Sequence, residues 1–151
     1  MKLPISLCID ALEGFSVCHF KDLHHQKEAP AHYYVVIPTV NSAYLIICLI
    51  TSKVVKICDY YTKSNSACLE SIVNLKPSDL SFLRCESIID CNSAQYIHRN
   101  ALKKVIKEDT YDLVVKCIPS NLINIIISAI DSSPMVKPFI KKAIDRTEIN
   151  D

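Results

Sequence analysis

The sequence contains a single glycine, Gly14, among 151 residues. Glycine adopts positive φ more readily than any other residue, so the turns of this chain are expected to use Asn, Ser, Asp and Pro. P-loops and Rossmann dinucleotide-binding motifs each need two or three glycines at fixed spacing. The shortage of glycine therefore argues against nucleotide-cofactor enzymes of these classes.

The sequence also lacks an excess of charge of either sign. It has 17 Lys and Arg against 16 Asp and Glu, which gives a formal net charge of +1. No strong overall field attracts nucleic acid or anionic membranes, so an RNA site would have to be a local patch. About half of the residues are apolar and no change in composition divides the chain. We expect a single domain over residues 1–151.

Eight cysteines are present, but none forms a C-x-x-C pair. The apolar N-terminal stretch is interrupted by Asp10 and Glu13, which makes it a poor secretory signal. These features predict reduced, buried thiols rather than disulfides or zinc ligands, in a cytoplasmic compartment. His24 and His25 are adjacent in a polar loop, without a carboxylate or cysteine at ligand spacing. No metal or other cofactor is expected.

Residues 33–53 form the stretch around which the chain is organised. Two β-prone runs, residues 33–37 and 44–50, flank Pro38 and Asn41. This pattern predicts a buried β-hairpin. A membrane-spanning helix needs about 20 consecutive, predominantly apolar residues, and the proline and asparagine interrupt this run, so no membrane segment is expected. Thr51 follows the second run, and its polar surroundings are where we expect function.

Further strands are predicted from short apolar or alternating runs at residues 54–61, 68–75, 87–91, 95–97 and 111–117. Residues 87–91 and 95–97 are either two short strands or one bent strand. From Asn100 the apolar period changes to that of a helix.

Two more helices are predicted near the C-terminus, one opening at Pro119 and Ser120 and one beginning at Pro138. The first is expected to place one apolar stripe inward, formed by Leu122, Ile125, Ile126, Ala129 and Ile130. The second is expected to do the same with Phe139, Ile140, Ala143 and Ile144.

Strands that cluster early and helices that follow predict the α+β class. Because the strands are joined by short links, we expect an antiparallel, curled sheet or small barrel. The barrel core is predicted over about residues 15–117, with a helical extension over about residues 119–147.

Three motifs stand in a familiar order: YVVI at residues 34–37, a strand ending in Thr51 and Ser52, and SIIDCN at residues 87–92 before an alternating strand and a basic helix. Over residues 32–106 this order resembles the MazF/PemK/Kid-like toxins of toxin–antitoxin systems. The resemblance implies a small SH3-like barrel with flanking helices, a homodimer, and metal-independent cleavage of single-stranded RNA. It also implies inhibition by a cognate antitoxin.

Two catalytic positions follow from the resemblance at the hairpin. Thr51 matches the family's threonine at the strand end. The family's arginine before the YVVI-like strand has no counterpart, because Ala31 and His32 stand there. The unperturbed pKa of a histidine side chain lies near neutral, so His32 is a candidate base or acid for RNA cleavage. A cap or surface position is the alternative for His32, and a turn-forming role is the alternative for Thr51 and Ser52.

The remaining candidates lie beside Thr51 and in the SIIDCN motif. Ser52 and Lys53 are candidate RNA-binding residues that would contact the phosphate. Asn92 occupies a position where the family often has an acidic residue and is a further candidate for RNA binding, while Asp90, two residues earlier, is a candidate catalytic residue. Asp90 and Asn92 have an alternative as an Asx turn between strands. A barrel with an eroded catalytic set, acting as a protein- or RNA-binding module, is the alternative function.

Overall fold

The computed structural model describes residues 3–23 and 30–147, which leaves His24 and His25 outside the described residues. The strands are β1 (Ser16–Phe20), β2 (His32–Pro38), β3 (Tyr44–Thr51), β4 (Ile72–Leu75), β5 (Ser87–His98) and β6 (Asp112–Val115). The α-helices are α1 (Ile5–Asp10), α2 (Val54–Ser64), α3 (Arg99–Val105), α4 (Ser120–Ser132) and α5 (Pro138–Ala143). Two short 3₁₀ helices lie at Ser66–Ser71 and Glu108–Thr110. In this part of the chain no helix has the length and apolar character that crossing a membrane requires.

The six strands form one sheet in the order β4-β5-β3-β2-β1-β6, and every neighbouring pair is antiparallel. The predicted hairpin is confirmed, because Tyr33 on β2 pairs with Ile50 on β3 and Pro38 pairs with Leu45. The α+β class is confirmed as well. The SH3-like barrel is not confirmed: β4 and β6 are the two edges of an open sheet in the described residues.

Apolar side chains cover both faces of this sheet, which explains why β3 is almost continuously apolar. Successive residues of a strand point to opposite faces. Ile46 therefore joins the larger buried cluster, which α4 and α5 cover with residues such as Ile126 and Ile140. Its neighbour Leu45 joins a second cluster beneath α1 and α3. The sheet thus lies between two helical layers.

Helix α2 replaces the strand predicted for residues 54–61, so that prediction was wrong. Val54, Ile57, Cys58 and Tyr61 follow the i, i+3, i+4, i+7 spacing and share the half-buried side of the helix. The β-branched residues of this segment favoured a strand, but burial of one helical stripe outweighs that weak preference. The strand predicted at residues 68–75 is partly right, because a 3₁₀ helix occupies its first half and β4 the second.

Strand β5 is the bent strand that was one of two alternatives for residues 87–97. Leu49 of β3 pairs with Asp90 of β5, and Ile47 of β3 pairs with Gln95 of β5. The two β3 residues are two positions apart, whereas their β5 partners are five positions apart. The extra residues of β5 form a bulge between these pairs, and a bulge bends a strand and redirects its side chains.

The C-terminal helices are confirmed, but two of their predicted inward residues are wrong. Ile125 is 51% exposed and Phe139 is 54% exposed. In α4 the buried side is rotated toward Ile123 and Ile127. Phe139 instead packs edge-on against Tyr96 at the surface, with ring centroids 5.6 Å apart.

Asparagine and aspartate side chains organise several turns, as the shortage of glycine predicted. Asn41 Oδ1 accepts a hydrogen bond from the Ala43 N–H, and Asn65 Oδ1 accepts one from the Ala67 N–H. Gly14 has a φ of 63°, and no other described residue has a positive φ. Glycine is thus used at the one described position whose backbone favours it.

Candidate functional site

A groove of about 300 Å³ lies where β2 begins and β3 ends. Four of the six predicted site residues line it: His32, Thr51, Ser52 and Lys53. In the antiparallel register, Tyr33 of β2 lies opposite Ile50 of β3. His32 precedes Tyr33 and Thr51 follows Ile50, so His32 and Thr51 lie close together. The two hairpin ends that carry His32 and Thr51 therefore meet in one groove, as the predicted hairpin implies.

The other wall of the groove comes from the segment between β4 and β5. Phe82 packs against Tyr33 with ring centroids 4.4 Å apart, and this contact holds the segment against the hairpin. Arg84 and Cys85, both exposed, line the groove beside it. Arg84 is far from the hairpin in sequence, and only the tertiary contact of Phe82 brings it to the groove, so no local pattern marks it as a site residue. The groove therefore contains a guanidinium although no arginine precedes β2.

The groove is positively charged. Within the described part of the chain its lining includes two cations, Lys53 and Arg84, and no Asp or Glu. Arginine and lysine are the side chains that most often bind phosphate, arginine through a planar fork and lysine as a point charge. An anionic ligand suits this lining better than a cationic or neutral one.

Thr51 ends β3 through a local hydrogen bond. Its Oγ1 accepts from the backbone N–H of Lys53 at 3.1 Å, which starts the chain toward α2. This is the turn-forming role that was the alternative for Thr51. The hydroxyl hydrogen donates no bond within the described residues, so the same side chain can still donate to a ligand in the groove.

His32 lines a second groove as well as the first. This second groove has a volume of about 350 Å³ and lies on the sheet face, beside Tyr34, Leu49 and Gln95. His32 therefore lies at the junction of the two grooves. A ligand longer than one phosphate group can contact His32 while extending along the sheet face past Tyr34.

Asp90 does not line either groove. It is 5% exposed, and its Oδ2 accepts a hydrogen bond from the Tyr61 hydroxyl at 2.8 Å. Its Oδ1 accepts from the backbone N–H of Asn92 at 3.1 Å, which is the Asx turn that was the alternative for these two residues. Burial and the bond to Asp90 raise the pKa of Tyr61 above its ordinary value, so Tyr61 keeps its proton and remains a donor.

Asn92 continues this buried network away from the grooves. Its Nδ2 donates to the Cys68 carbonyl at 2.9 Å, and its Oδ1 accepts from the Ser133 hydroxyl at 2.7 Å. The Ser133 carbonyl in turn accepts from Lys141 at 2.8 Å. The network satisfies the buried polar atoms of the bulge and ties β5 to the segment after α4. The hydrogen bonds of Asp90 and Asn92 thus lie within the fold, and neither residue lines the groove at Thr51.

Among residues 3–23 and 30–147, no group of three or more His, Cys, Asp or Glu side chains is arranged so that it could hold a metal ion. No family model matches the chain, and no curated protein is significantly similar to it.

Proposed function

We propose that this chain is an endoribonuclease that cleaves single-stranded RNA without a metal ion, as its resemblance to the MazF/PemK/Kid-like toxins implies. The observation that carries the proposal is the positively charged groove lined by His32, Thr51, Ser52, Lys53 and Arg84. In this proposal the groove holds the scissile phosphate. Single-stranded RNA continues from it along the sheet face beside Tyr34.

The phosphate is bound by charge and by hydroxyl donors. Lys53 and Arg84 neutralise its negative charge, and Arg84 supplies the cation that the resemblance places before the YVVI-like strand. Thr51 and Ser52 donate hydrogen bonds to the non-bridging oxygens. Donors fixed in place before the reaction stabilise the extra negative charge that develops on these oxygens in the transition state.

Cleavage then needs two proton transfers. A base removes the proton of the 2′-hydroxyl, and the 2′-oxygen attacks phosphorus while the bond from phosphorus to the 5′-oxygen breaks. An acid protonates the leaving 5′-oxygen, so the products carry a 2′,3′-cyclic phosphate and a 5′-hydroxyl. We assign one of these transfers to His32, because imidazole exchanges a proton near neutral pH. Asp90 acts as a positioning residue through β5 and does not touch the RNA.

The open sheet already provides this groove, so the proposal does not require a closed SH3-like barrel. From the resemblance we also propose that the enzyme is a cytoplasmic homodimer and that a cognate antitoxin inhibits it. These three properties are independent of the chemistry in the groove.

The test uses a labelled single-stranded RNA incubated with the full chain in the presence of a chelator. Wild type is expected to cleave the RNA to products with 2′,3′-cyclic phosphate ends. His32→Ala is expected to slow cleavage about 100-fold or more, since a positioned acid or base contributes about that much. Thr51→Ala and Arg84→Ala are expected to lower the rate through weaker stabilisation of the transition state.

Thr62→Ala is the matched control for Thr51→Ala. Thr62 is an exposed threonine of α2 whose hydroxyl bonds only to the Cys58 carbonyl within the described residues, and it does not line the groove. Its variant is expected to cleave at the wild-type rate. Absence of cleavage by wild type, or an equal loss in Thr51→Ala and Thr62→Ala, would refute the enzymatic proposal.

A second candidate function is an RNA- or protein-binding module without catalysis. The burial of Asp90 favours it, because the groove then contains no carboxylate to share the proton transfers with His32. In that case RNA binding survives in Thr51→Ala and no product forms. Binding of the labelled RNA is measured by fluorescence anisotropy and its cleavage by gel electrophoresis. The two measurements together separate the two functions.

Cysteine labelling locates the RNA without relying on catalysis. Cys85 and Cys117 are both exposed, but only Cys85 lines the groove. Alkylation of Cys117→Ser, which leaves Cys85 exposed, is expected to abolish RNA binding. Alkylation of Cys85→Ser, which leaves Cys117 exposed, is expected to have no effect. The reverse result would place the RNA away from Thr51.

A further inference from the structure

A groove of about 820 Å³ lies between β4, an edge strand of the sheet, and helix α4. It shares no lining residue with the groove at Thr51. β4 pairs with β5 on one side, so the backbone on its other side faces the groove. An edge strand of this kind presents N–H and C=O groups that another extended chain can pair with.

The hydrogen bonds at both ends of β4 show which of its backbone groups face outward. The Ile72 N–H bonds to the Leu69 carbonyl, and the Lys76 N–H bonds to Asp79 Oδ2 at 2.7 Å, so neither amide points toward β5. Backbone direction alternates along a strand, so the N–H and C=O of Asn74, midway between them, also point outward. Asn74 has no backbone partner outside the sheet among the described residues.

The opposite wall of the groove is one flank of α4. The polar residues Asn121, Asn124 and Ser128 recur on this flank at helical spacing, with the exposed Ile125 among them. Carboxamides and hydroxyls can bond to the outer backbone edge of an extended segment, and Ile125 can contact its side chains. A groove with a strand edge on one wall and a helix on the other is the geometry in which peptides bind by strand addition.

The acidic residues of this groove indicate which kind of peptide it favours. Glu70 precedes β4 and Asp79 follows it, and both line the groove, whereas no Lys or Arg is among its lining residues. We propose that this groove binds an extended peptide segment of another protein, rich in basic side chains, which adds to the sheet as a strand beside β4. A second copy of this chain suits the groove less well, because antiparallel pairing of two β4 edges brings acidic residues together.

The probe is a fluorescein-labelled, acetylated and amidated peptide of about six residues in which lysine and valine alternate, a length matched to a short strand. Fluorescence anisotropy at low salt is expected to show binding to the full chain. A glutamate–valine peptide of the same length is expected not to bind. Methylation of alternate backbone nitrogens of the lysine–valine peptide is expected to weaken binding about tenfold, because it removes the hydrogen bonds to the edge.

Variants of the chain test each wall separately. Asn74→Pro removes the outward N–H and leaves the bonds to β5 in place, and we expect about tenfold weaker binding. Asn74→Ala keeps the N–H and is expected to bind like wild type. Ile125→Lys, at an exposed helix position, is expected to weaken binding even if the proline variant does not fold. The pair Glu70→Gln with Asp79→Asn is expected to weaken binding about fivefold and to reduce its salt dependence.

Three results would overturn the proposal. One is no binding of the lysine–valine peptide to wild type. Another is equal binding of its N-methylated form. The third is a concentration-dependent dimer of the wild-type chain that Asn74→Pro abolishes, which would assign the edge to a second copy. None of these results depends on RNA cleavage, so the proposal stands or fails separately from the ribonuclease function.

Discussion

Asn92 connects three parts of the fold through its carboxamide. It bonds to the Cys68 carbonyl, to the Ser133 hydroxyl and to the Asp90 carboxylate. Asn92→Ala leaves these buried groups without their partner, and such losses cost about 1–3 kcal/mol each. We expect the free energy of unfolding to fall by about that amount or more in urea denaturation. Asn124→Ala, at an exposed position of α4, is the control and is expected to change stability little.

The same variant also tests whether the network supports the groove indirectly. RNA cleavage by Asn92→Ala, measured well below its unfolding midpoint, is expected to stay within a few-fold of wild type, because Asn92 does not line the groove. A loss as large as that of His32→Ala would mean that the carboxamide acts in the site itself.

Cys18 predicts how stability depends on pH. Burial, partly offset by the hydrogen bond with Tyr111, raises the pKa of the Cys18 thiol from 9.0 to about 11. Above about pH 9 the unfolded chain releases this proton while the folded chain retains it, so Cys18 lowers the free energy of unfolding as pH rises, and this contribution levels off near pH 11. The loss is on the order of 2 kcal/mol.

Cys18→Ser tests this prediction, because a serine hydroxyl keeps the bond to Tyr111 and does not titrate in this range. Denaturation followed by circular dichroism between pH 8 and 11 is expected to show a flatter decline for this variant. Cys117→Ser, which changes an exposed thiol, is expected to decline as wild type does. Identical slopes for Cys18→Ser and wild type would refute the role of Cys18. Burial also raises the pKa of Tyr111, which contributes only above pH 10.

At the scale of elements, α2 is the least embedded of the long helices. None of its residues is buried, and its half-buried stripe faces the neighbouring 3₁₀ helix Ser66–Ser71. Few buried contacts mean a small free energy of local opening. We expect amide hydrogen exchange of α2 to be faster than that of β3, which lies at the centre of the sheet. Equal protection of α2 and β3, measured by mass spectrometry, would contradict this prediction.

Helix α2 also shows where sequence patterns fail. Strong apolar runs with clear turn residues, such as residues 33–37 and 44–50, predicted the hairpin correctly. Residues 54–61 alternate only partly, and the helical stripe from Val54 to Tyr61 is equally present in the sequence. Because short apolar runs fit both periods, the choice is made by tertiary packing, which the sequence does not display. The same holds for α4, whose inward face is rotated by about one residue.

At the scale of the whole molecule, one sheet shares its two faces between two buried clusters. Adjacent residues of β3 face different clusters: Ile46 is in the larger and Leu45 in the smaller. Truncating either to alanine is expected to cost about 2–5 kcal/mol. Because both clusters share β3, both variants are expected to lower the midpoint of one and the same unfolding transition.

The measurement is urea denaturation followed by circular dichroism and by tyrosine fluorescence. Coincident curves from both probes are expected for wild type and for both variants. Separate transitions in Leu45→Ala, with the larger cluster unfolding later, would show that the two layers fold independently. Val40→Ala, at a residue that is 73% exposed, is the control and is expected to leave the midpoint unchanged.

The candidate site was predictable only where it is local. His32 and Thr51 lie at the two ends of one hairpin, so their proximity follows from the hairpin itself. Arg84 reaches the groove because Phe82 packs against Tyr33. Such a contact between distant residues cannot be predicted from the periodicity of apolar residues in the sequence. Asp90 was expected in the same groove as Thr51, but its carboxylate bonds within a buried network beside the β5 bulge and does not line that groove. Bulges leave little trace in sequence.

The strand order has a consequence for how the chain is made on the ribosome. On its outer side β1 pairs with β6, where Val17 lies opposite Val115. β6 is therefore synthesised long after β1, and α4 is synthesised after β6. Domains fold as their residues emerge, at about 5–20 residues per second. A nascent chain that has released β1 to β5 therefore exposes a broad apolar sheet face until Ser120–Ser132 has left the exit tunnel. We expect chaperones that bind exposed apolar surface to hold the nascent chain during that interval.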